Sequence, residues 1–187
     1  EALKYLAKKY NIEIQEKERT PDDIQAESER ESLLVVTSYA QKFFIDNLHK
    51  TAEGKAIGLK YLKERGLRED IIDKFQLGYS PEEKDAFTKA ALKSGYKMEF
   101  LLKSGLSIEK NNFHFDRFHG RVIFPIQGLS GNINGFGARA LGGEKETAKY
   151  LNSPESEIYH KSRILYGLYI ARKAIVANNK CFLVEGY

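Results

Sequence analysis

The sequence predicts an α+β chain: a helical first half, a small mixed or antiparallel sheet after it, and one further strand at the carboxyl end. Three observations carry this. Apolar residues recur at helical spacing as far as about Leu106. Beyond that point Val122, Phe124 and Ile126 alternate, as residues on one face of a strand do. The last residues, Cys181-Phe-Leu-Val-Glu-Gly-Tyr187, drive an apolar run into a Glu-Gly pair. A carboxylate at the carboxyl end of a strand is where open α/β sheets place ligand chemistry.

Leu3, Leu6, Ala7 and Tyr10 define a first helix that frays into the polar stretch Glu13 to Arg19. Thr20-Pro21-Asp22-Asp23 supplies an N-cap hydroxyl, a proline at the first helical position and early acidic residues. The helix it opens should run to about Lys50, with Leu33, Val36, Ala40, Phe43, Phe44 and Leu48 as its inner stripe. Two shorter helices should end near Gly66 and Gln76, and Ser80-Pro81-Glu82-Glu83 reads as a capping box for another. Gly95 and Gly105 close further short helical pieces. Gly128 to Asn132 reads as a turn between strands, with Ile133 to Leu141 as the second strand. A last helix, roughly Ser162 to Ala177, precedes the terminal strand Phe182 to Val184.

The chain has 187 residues, 42% of them hydrophobic and 30% charged, with a formal net charge of +4. That is enough for one sizeable core or two small ones. The basic excess is too small to argue for nucleic acid by itself. Apolar runs such as Ile123 to Ile126 fall far short of a membrane span, and no signal-peptide pattern opens the chain, so the default is a cytoplasmic protein with no membrane partner. The single cysteine, Cys181, can build neither a disulfide framework nor a zinc ribbon. His114 and His119 are close in sequence, but no second ligand pair accompanies them.

Chemistry gathers in the second half. From Arg117 through Gly143 there is no Asp or Glu, while Arg117, Arg121 and Arg139 are spread over a glycine-rich predicted hairpin. Guanidinium forks and close backbone N–H groups hold phosphate. Arg117 and Arg121 either share a groove or are surface arginines beside the turn at Gly120. Gly135-Phe-Gly-Ala-Arg139 lacks the loop-to-helix context of a phosphate loop, and two glycines around Phe136 more often mark a tightly packed strand. Lys149-Tyr150-Leu151-Asn152-Ser153-Pro154 offers a cation, a flat ring and an amide in an extended segment. Such a set can take a single strand, with lysine on phosphate and tyrosine stacked on a base, or form a polar loop with one packed ring. His160-Lys161-Ser162-Arg163 puts cations at a predicted helix start, where they oppose the dipole unless an anion binds there.

The order and spacing of DRFHGRVIFPIQ, GNINGFGARALGG, AKYLNSPES, HKSRILYGLY and the final EGY resemble the RNA-polymerase core of bacterial replicative DNA primase, the DnaG-type family. The match is densest from Asp116 to Tyr187. The resemblance implies three parts: residues 1–19 as the end of a zinc-binding module and a linker, residues 20–178 as the N-terminal subdomain of the catalytic core, and residues 179–187 as the start of a Toprim α/β domain. The chain is then a fragment trimmed at both ends. It implies an enzyme that copies single-stranded DNA into short RNA primers from ribonucleoside triphosphates. Arg117, Arg121, Arg139, Lys149, Tyr150, Asn152, Lys161 and Arg163 would line a basic cleft for template, primer or nucleotide, with Lys149 and Glu185 in catalysis. Magnesium would be held near Glu185, with its other carboxylates farther along the chain, and zinc would be bound before Glu1. A replicative helicase would dock on a region outside this sequence. One departure is His119, where many members carry arginine; a mostly neutral histidine attracts phosphate less. A single-strand-binding module without chemistry and a helical protein-interaction domain are the rival readings.

Overall fold

The computed structural model describes residues 2–10, 20–141 and 148–185. A short helix α1 (Ala2–Tyr10) precedes the long α2 (Pro21–Lys50), whose start is fixed as the sequence requires. The Thr20 hydroxyl accepts the Asp23 N–H at 3.2 Å, and the Thr20 N–H donates to the Asp23 carboxylate at 3.0 Å. This reciprocal box satisfies two backbone groups at the helix start. The predicted inner stripe is buried at Leu33, Val36, Ala40, Phe44 and Leu48, with Phe43 half-buried beside it.

After α2 comes one turn of π-helix, Gly54–Leu59, leading directly into α3 (Lys60–Glu64) and then α4 (Glu69–Lys74). The π-helical turn lies hard against α2, since a Cβ at Gly54 would fall 1.9 Å from the Asn47 carbonyl oxygen. The short strand β1 (Gly78–Ser80) is followed by α5 (Ala86–Lys93) and α6 (Met98–Lys103). Gly95 and Gly105 end these two helices at φ +87° and +67°, the left-handed geometry that glycine adopts without penalty.

A two-stranded hairpin, β2 (Ser107–Lys110) and β3 (Phe113–Asp116), comes next. Then β4 (Arg121–Gln127), β5 (Ile133–Ala140) and β6 (Tyr150–Asn152) complete a four-stranded sheet of order β1-β4-β5-β6. Every neighbouring pair in it is antiparallel. The two faces of this sheet carry two cores. Ile123, Phe136 and Ala138 pack with Val36, Ala40, Phe44, Phe87 and Phe118 on one side. Tyr79 and Val122 pack with Leu48, Leu62, Ile72 and Leu77 on the other. α2 therefore serves both faces, and Gly78 lets it close on the sheet: a Cβ there would meet the Phe44 Cβ at 2.5 Å.

Three expectations are corrected. Ser80 does not cap a helix; it lies in β1 opposite Arg121 and is buried, while α5 starts at Ala86. The orphan N–H groups of α5 are taken by the distant Asp116, which accepts from Phe87 N at 2.7 Å and Thr88 N at 2.9 Å. Of the two arrangements expected for the sheet, mixed or antiparallel, the structure has the antiparallel one. The last helix does not run from Ser162: a 3₁₀ turn at Lys161–Arg163 is separated from α7 (Leu168–Asn178) by Gly167 at φ +78°. Cys181 to Glu185 is not a strand, and Phe182 and Val184 are 86% and 82% exposed. A strand needs a neighbour to take its backbone N–H and C=O groups, and among the described residues none pairs with this segment.

Candidate nucleic-acid interface

Six of the sequence-predicted residues, Arg117, Arg121, Arg139, Lys149, Tyr150 and Asn152, meet around one sheet edge, β6. Its backbone is pinned from several sides. Arg139 stands opposite Tyr150 in the ladder, and Asn152 stands opposite Gly137. The Ala140 N–H donates to the Lys149 carbonyl at 3.0 Å, and the Ser153 N–H to the Phe136 carbonyl at 2.8 Å. Ser153 Oγ returns the favour by accepting the Phe136 N–H at 3.0 Å. Pro154 sits against the backbone of Gly105, where any Cβ would fall 2.3 Å from its ring.

Two arginines brace the same edge. Arg121 Nη1 donates to the Ala148 carbonyl oxygen at 2.8 Å, and Arg117 Nε donates to the Asn152 carbonyl oxygen at 3.2 Å. Burial pushes both guanidinium groups below their ordinary pKa, although arginine keeps its charge. These two side chains thus hold the main chain on both flanks of Tyr150. The sheet period also separates them from Arg139. Arg121 pairs with Ala140 and Val122 with Arg139, so Arg121 and Arg139 leave on opposite faces and meet only at the β6 edge.

At that edge Lys149 is exposed and the Tyr150 ring is 48% exposed. Arg139 Nη1 donates to the Tyr150 hydroxyl, and its guanidinium lies 5.0 Å from the centre of that ring. The ring centre of Tyr61, a residue that no motif in the sequence singles out, lies 5.6 Å from the same guanidinium. His119 is half-buried with its Nδ1 unpartnered among the described residues, and burial with the charges of Arg121 and Lys84 holds its pKa below the ordinary value. It is therefore neutral at pH 7 and adds no charge to the edge.

Lys161 and Arg163 are exposed on the 3₁₀ turn and not at the start of a long helix. Glu155 organises that turn by accepting the Lys161 N–H at 3.0 Å and pairing with His160 Nδ1 at 3.1 Å. These two contacts hold the Glu155 carboxyl below its usual range. Glu185 is exposed, and Gly186 lies outside the described residues. A hard divalent cation takes several oxygen ligands, and among the described residues no three His, Cys, Asp or Glu side chains gather to supply them. Cys181 is exposed and alone. The described residues thus fit neither a magnesium nor a zinc site.

Residues 43–172 match the family described as DNA primase catalytic core, N-terminal domain. The chain belongs to that family. The DNA primase of Halalkalibacterium halodurans is 41% identical over 189 aligned residues, which take in 100% of this chain and 31% of the relative. Among solved structures, the RNA polymerase domain of Mycobacterium tuberculosis primase DnaG, in complex with a double-stranded DNA oligomer with a 6-nucleotide overhang, superposes with a TM-score of 0.78. It is 34% identical, with 84% of this chain and 49% of that one covered. A DnaG primase catalytic domain bound to single-stranded DNA superposes at a TM-score of 0.75 and 34% identity, covering 86% of this chain and 49% of that one. The chain therefore spans about a third of the curated primase it matches and about half of the solved primase domains. The α+β architecture, helices followed by antiparallel sheet, is that of the primase core. Among the described residues no helix is long and apolar enough to cross a membrane.

Proposed function

We propose that this primase domain holds the single-stranded DNA template, and with it the primer or incoming ribonucleoside triphosphate, for an enzyme that makes short RNA primers during replication in the cytoplasm. The observation that carries the reading is the β6 edge: a backbone pinned by Arg117 and Arg121 presents an exposed cation, Lys149, beside an exposed ring, Tyr150. A charge for phosphate and a flat face for a base are what a single strand offers partners for. The likeness to a primase domain solved with single-stranded DNA supports the same use. Arg139 and, on the 3₁₀ turn, Lys161 and Arg163 supply further cations, and Asn152 an amide.

In this reading residues 20–178 form the N-terminal subdomain of the core, and residues 179–187 open the Toprim domain. Glu185 would serve the catalytic centre from there. Magnesium and zinc, the RNA primer and the replicative helicase would be engaged by the whole enzyme.

The test is a titration of the chain with a fluorescein-labelled single-stranded oligonucleotide at 50 and 200 mM salt. Each phosphate contact contributes about 0.7 to the salt slope for single strands. Three exposed cations, Lys149, Lys161 and Arg163, give a slope near −2, so affinity should fall about twentyfold over that range. No binding at low salt, or binding that hardly changes with salt, overturns the proposal.

A further inference from the structure

We infer that Tyr61 is a positioning residue of the template surface: it backs the Arg139 guanidinium, which thereby fixes the ring of Tyr150 for base stacking and does not itself take phosphate. The inference rests on the proposed function and deepens it at one point.

The sheet register sets up the arrangement. Tyr79, Val122, Arg139 and Tyr150 stand opposite one another across all four strands, so all four leave on the same face. The first two are fully buried in the second core, and Tyr61 packs against that core from α3. Arg139 is the next member of the row, half-buried where the core ends, and Tyr150 is the exposed last member. The π-helical turn brings α3 over this row. Gly58 lies so close to β1 that a Cβ would meet the Tyr79 side chain at 3.0 Å and Leu48 at 2.9 Å. π-helical turns are often found at functional sites.

The Arg139 guanidinium is then within cation–π reach of two rings, 5.6 Å from the centre of Tyr61 and 5.0 Å from that of Tyr150. One of its donors, Nη1, goes to the Tyr150 hydroxyl, and Nε is buried with no partner among the described residues. A side chain so engaged is poorly placed to grip phosphate. Planarity suits the place, since a flat, delocalised cation can contact both rings while still donating to the Tyr150 hydroxyl. Tyr61 is itself steadied from outside, where Arg65 Nε donates to its hydroxyl at 3.3 Å. The result is a rigid support behind a ring, and stacking on a ring already held still costs less ordering on binding.

The same oligonucleotide titration, run on four variants with thermal unfolding recorded for each, tests this. Arg139→Lys keeps the charge but loses the plane, and Tyr61→Leu removes the backing ring. Both should bind the single strand about fivefold more weakly, part of what loss of a stacking ring costs, with an unchanged salt slope. Tyr61→Phe keeps the ring and loses only the long Arg65 hydrogen bond, so it should restore affinity to within about twofold of wild type. Lys149→Ala, a phosphate contact, should instead flatten the slope by about 0.7. Wild-type affinity for both Arg139→Lys and Tyr61→Leu overturns the inference. So does a slope flattened by Tyr61→Leu, or an affinity loss in proportion to lost thermal stability in every variant. Failure of wild type to bind at all overturns the proposed function instead, which keeps the two separate.

Discussion

Lys149→Ala is expected to lower primer synthesis by a full-length primase carrying this chain about 100-fold, while its thermal unfolding stays within about 0.5 kcal/mol of wild type. The two halves of the expectation have different causes. The side chain of Lys149 is exposed and joins neither core, so its removal opens no cavity and strands no buried group. What fixes the residue is its backbone, whose carbonyl accepts from Ala140, flanked by the Ala148 carbonyl that Arg121 holds. None of this is lost on truncation to alanine. The amine, in contrast, is a cation next to the ring that is proposed to stack a base, and charge that builds on transferring phosphoryl oxygens is offset by cations at the site. Lys93→Ala, at the exposed end of α5, should leave both quantities unchanged. Equal falls in activity and stability for Lys149→Ala would assign the lysine to structure.

The parts of the fold legible in the sequence are those with long periodic signals or distinctive end chemistry. α2 carries thirty residues of helical spacing and a complete cap at Thr20, and β4 and β5 alternate on both sides of a glycine turn. Short elements escaped. β1 has three residues, too few to alternate, and the π-helical turn at Gly54–Leu59 has the composition of an ordinary helix. The β2–β3 hairpin did leave a signal, because Asn111 and Asn112 both sit at positive φ, +52° and +62°, as the two-residue turn of a tight hairpin demands. Ser80 misled because Ser-Pro-Glu-Glu is a good local cap, yet burial in β1 and a carboxylate from β3 decided the start of α5. The site divides in the same way. KYLNSP marked the β6 edge by residue type, but Arg117 and Arg121 spend donors on main-chain carbonyls that no side-chain pattern records. Tyr61 lies 78 residues before Arg139, and the packing of α3 on the second core, beside the sheet row that carries Arg139, brings the two together.

Asp116→Ala is expected to cost about 3–4 kcal/mol, a large share of the 5–15 kcal/mol that holds a domain folded. The Asp116 carboxylate is buried and accepts three hydrogen bonds, from Phe87 N, Thr88 N and the Thr88 hydroxyl at 2.6 Å. Alanine leaves two buried N–H groups at the start of α5 without an acceptor, each worth about 1–3 kcal/mol, and removes the carboxylate that caps a helix whose own N-cap residue, Asp85, makes no side-chain cap bond. It also frees the Thr88 hydroxyl, which bonds Ser107 on β2 at 2.7 Å, so the hairpin and the first core loosen together. Urea midpoints of wild type and variant measure the cost, and a loss under about 1 kcal/mol would show that water replaces the carboxylate easily. The pH dependence has a definite sign. Burial pushes the Asp116 carboxyl up, against the pull of its three donors. A folded pKa above the unfolded value of about 3.9 makes this group's contribution fullest below that pH and lost as pH rises through the folded pKa. Asp116→Asn does not titrate there, so the stability of wild type relative to it should fall as pH rises through that window. A difference that instead grows with pH would mean that the donors outweigh burial and that the carboxylate is held charged.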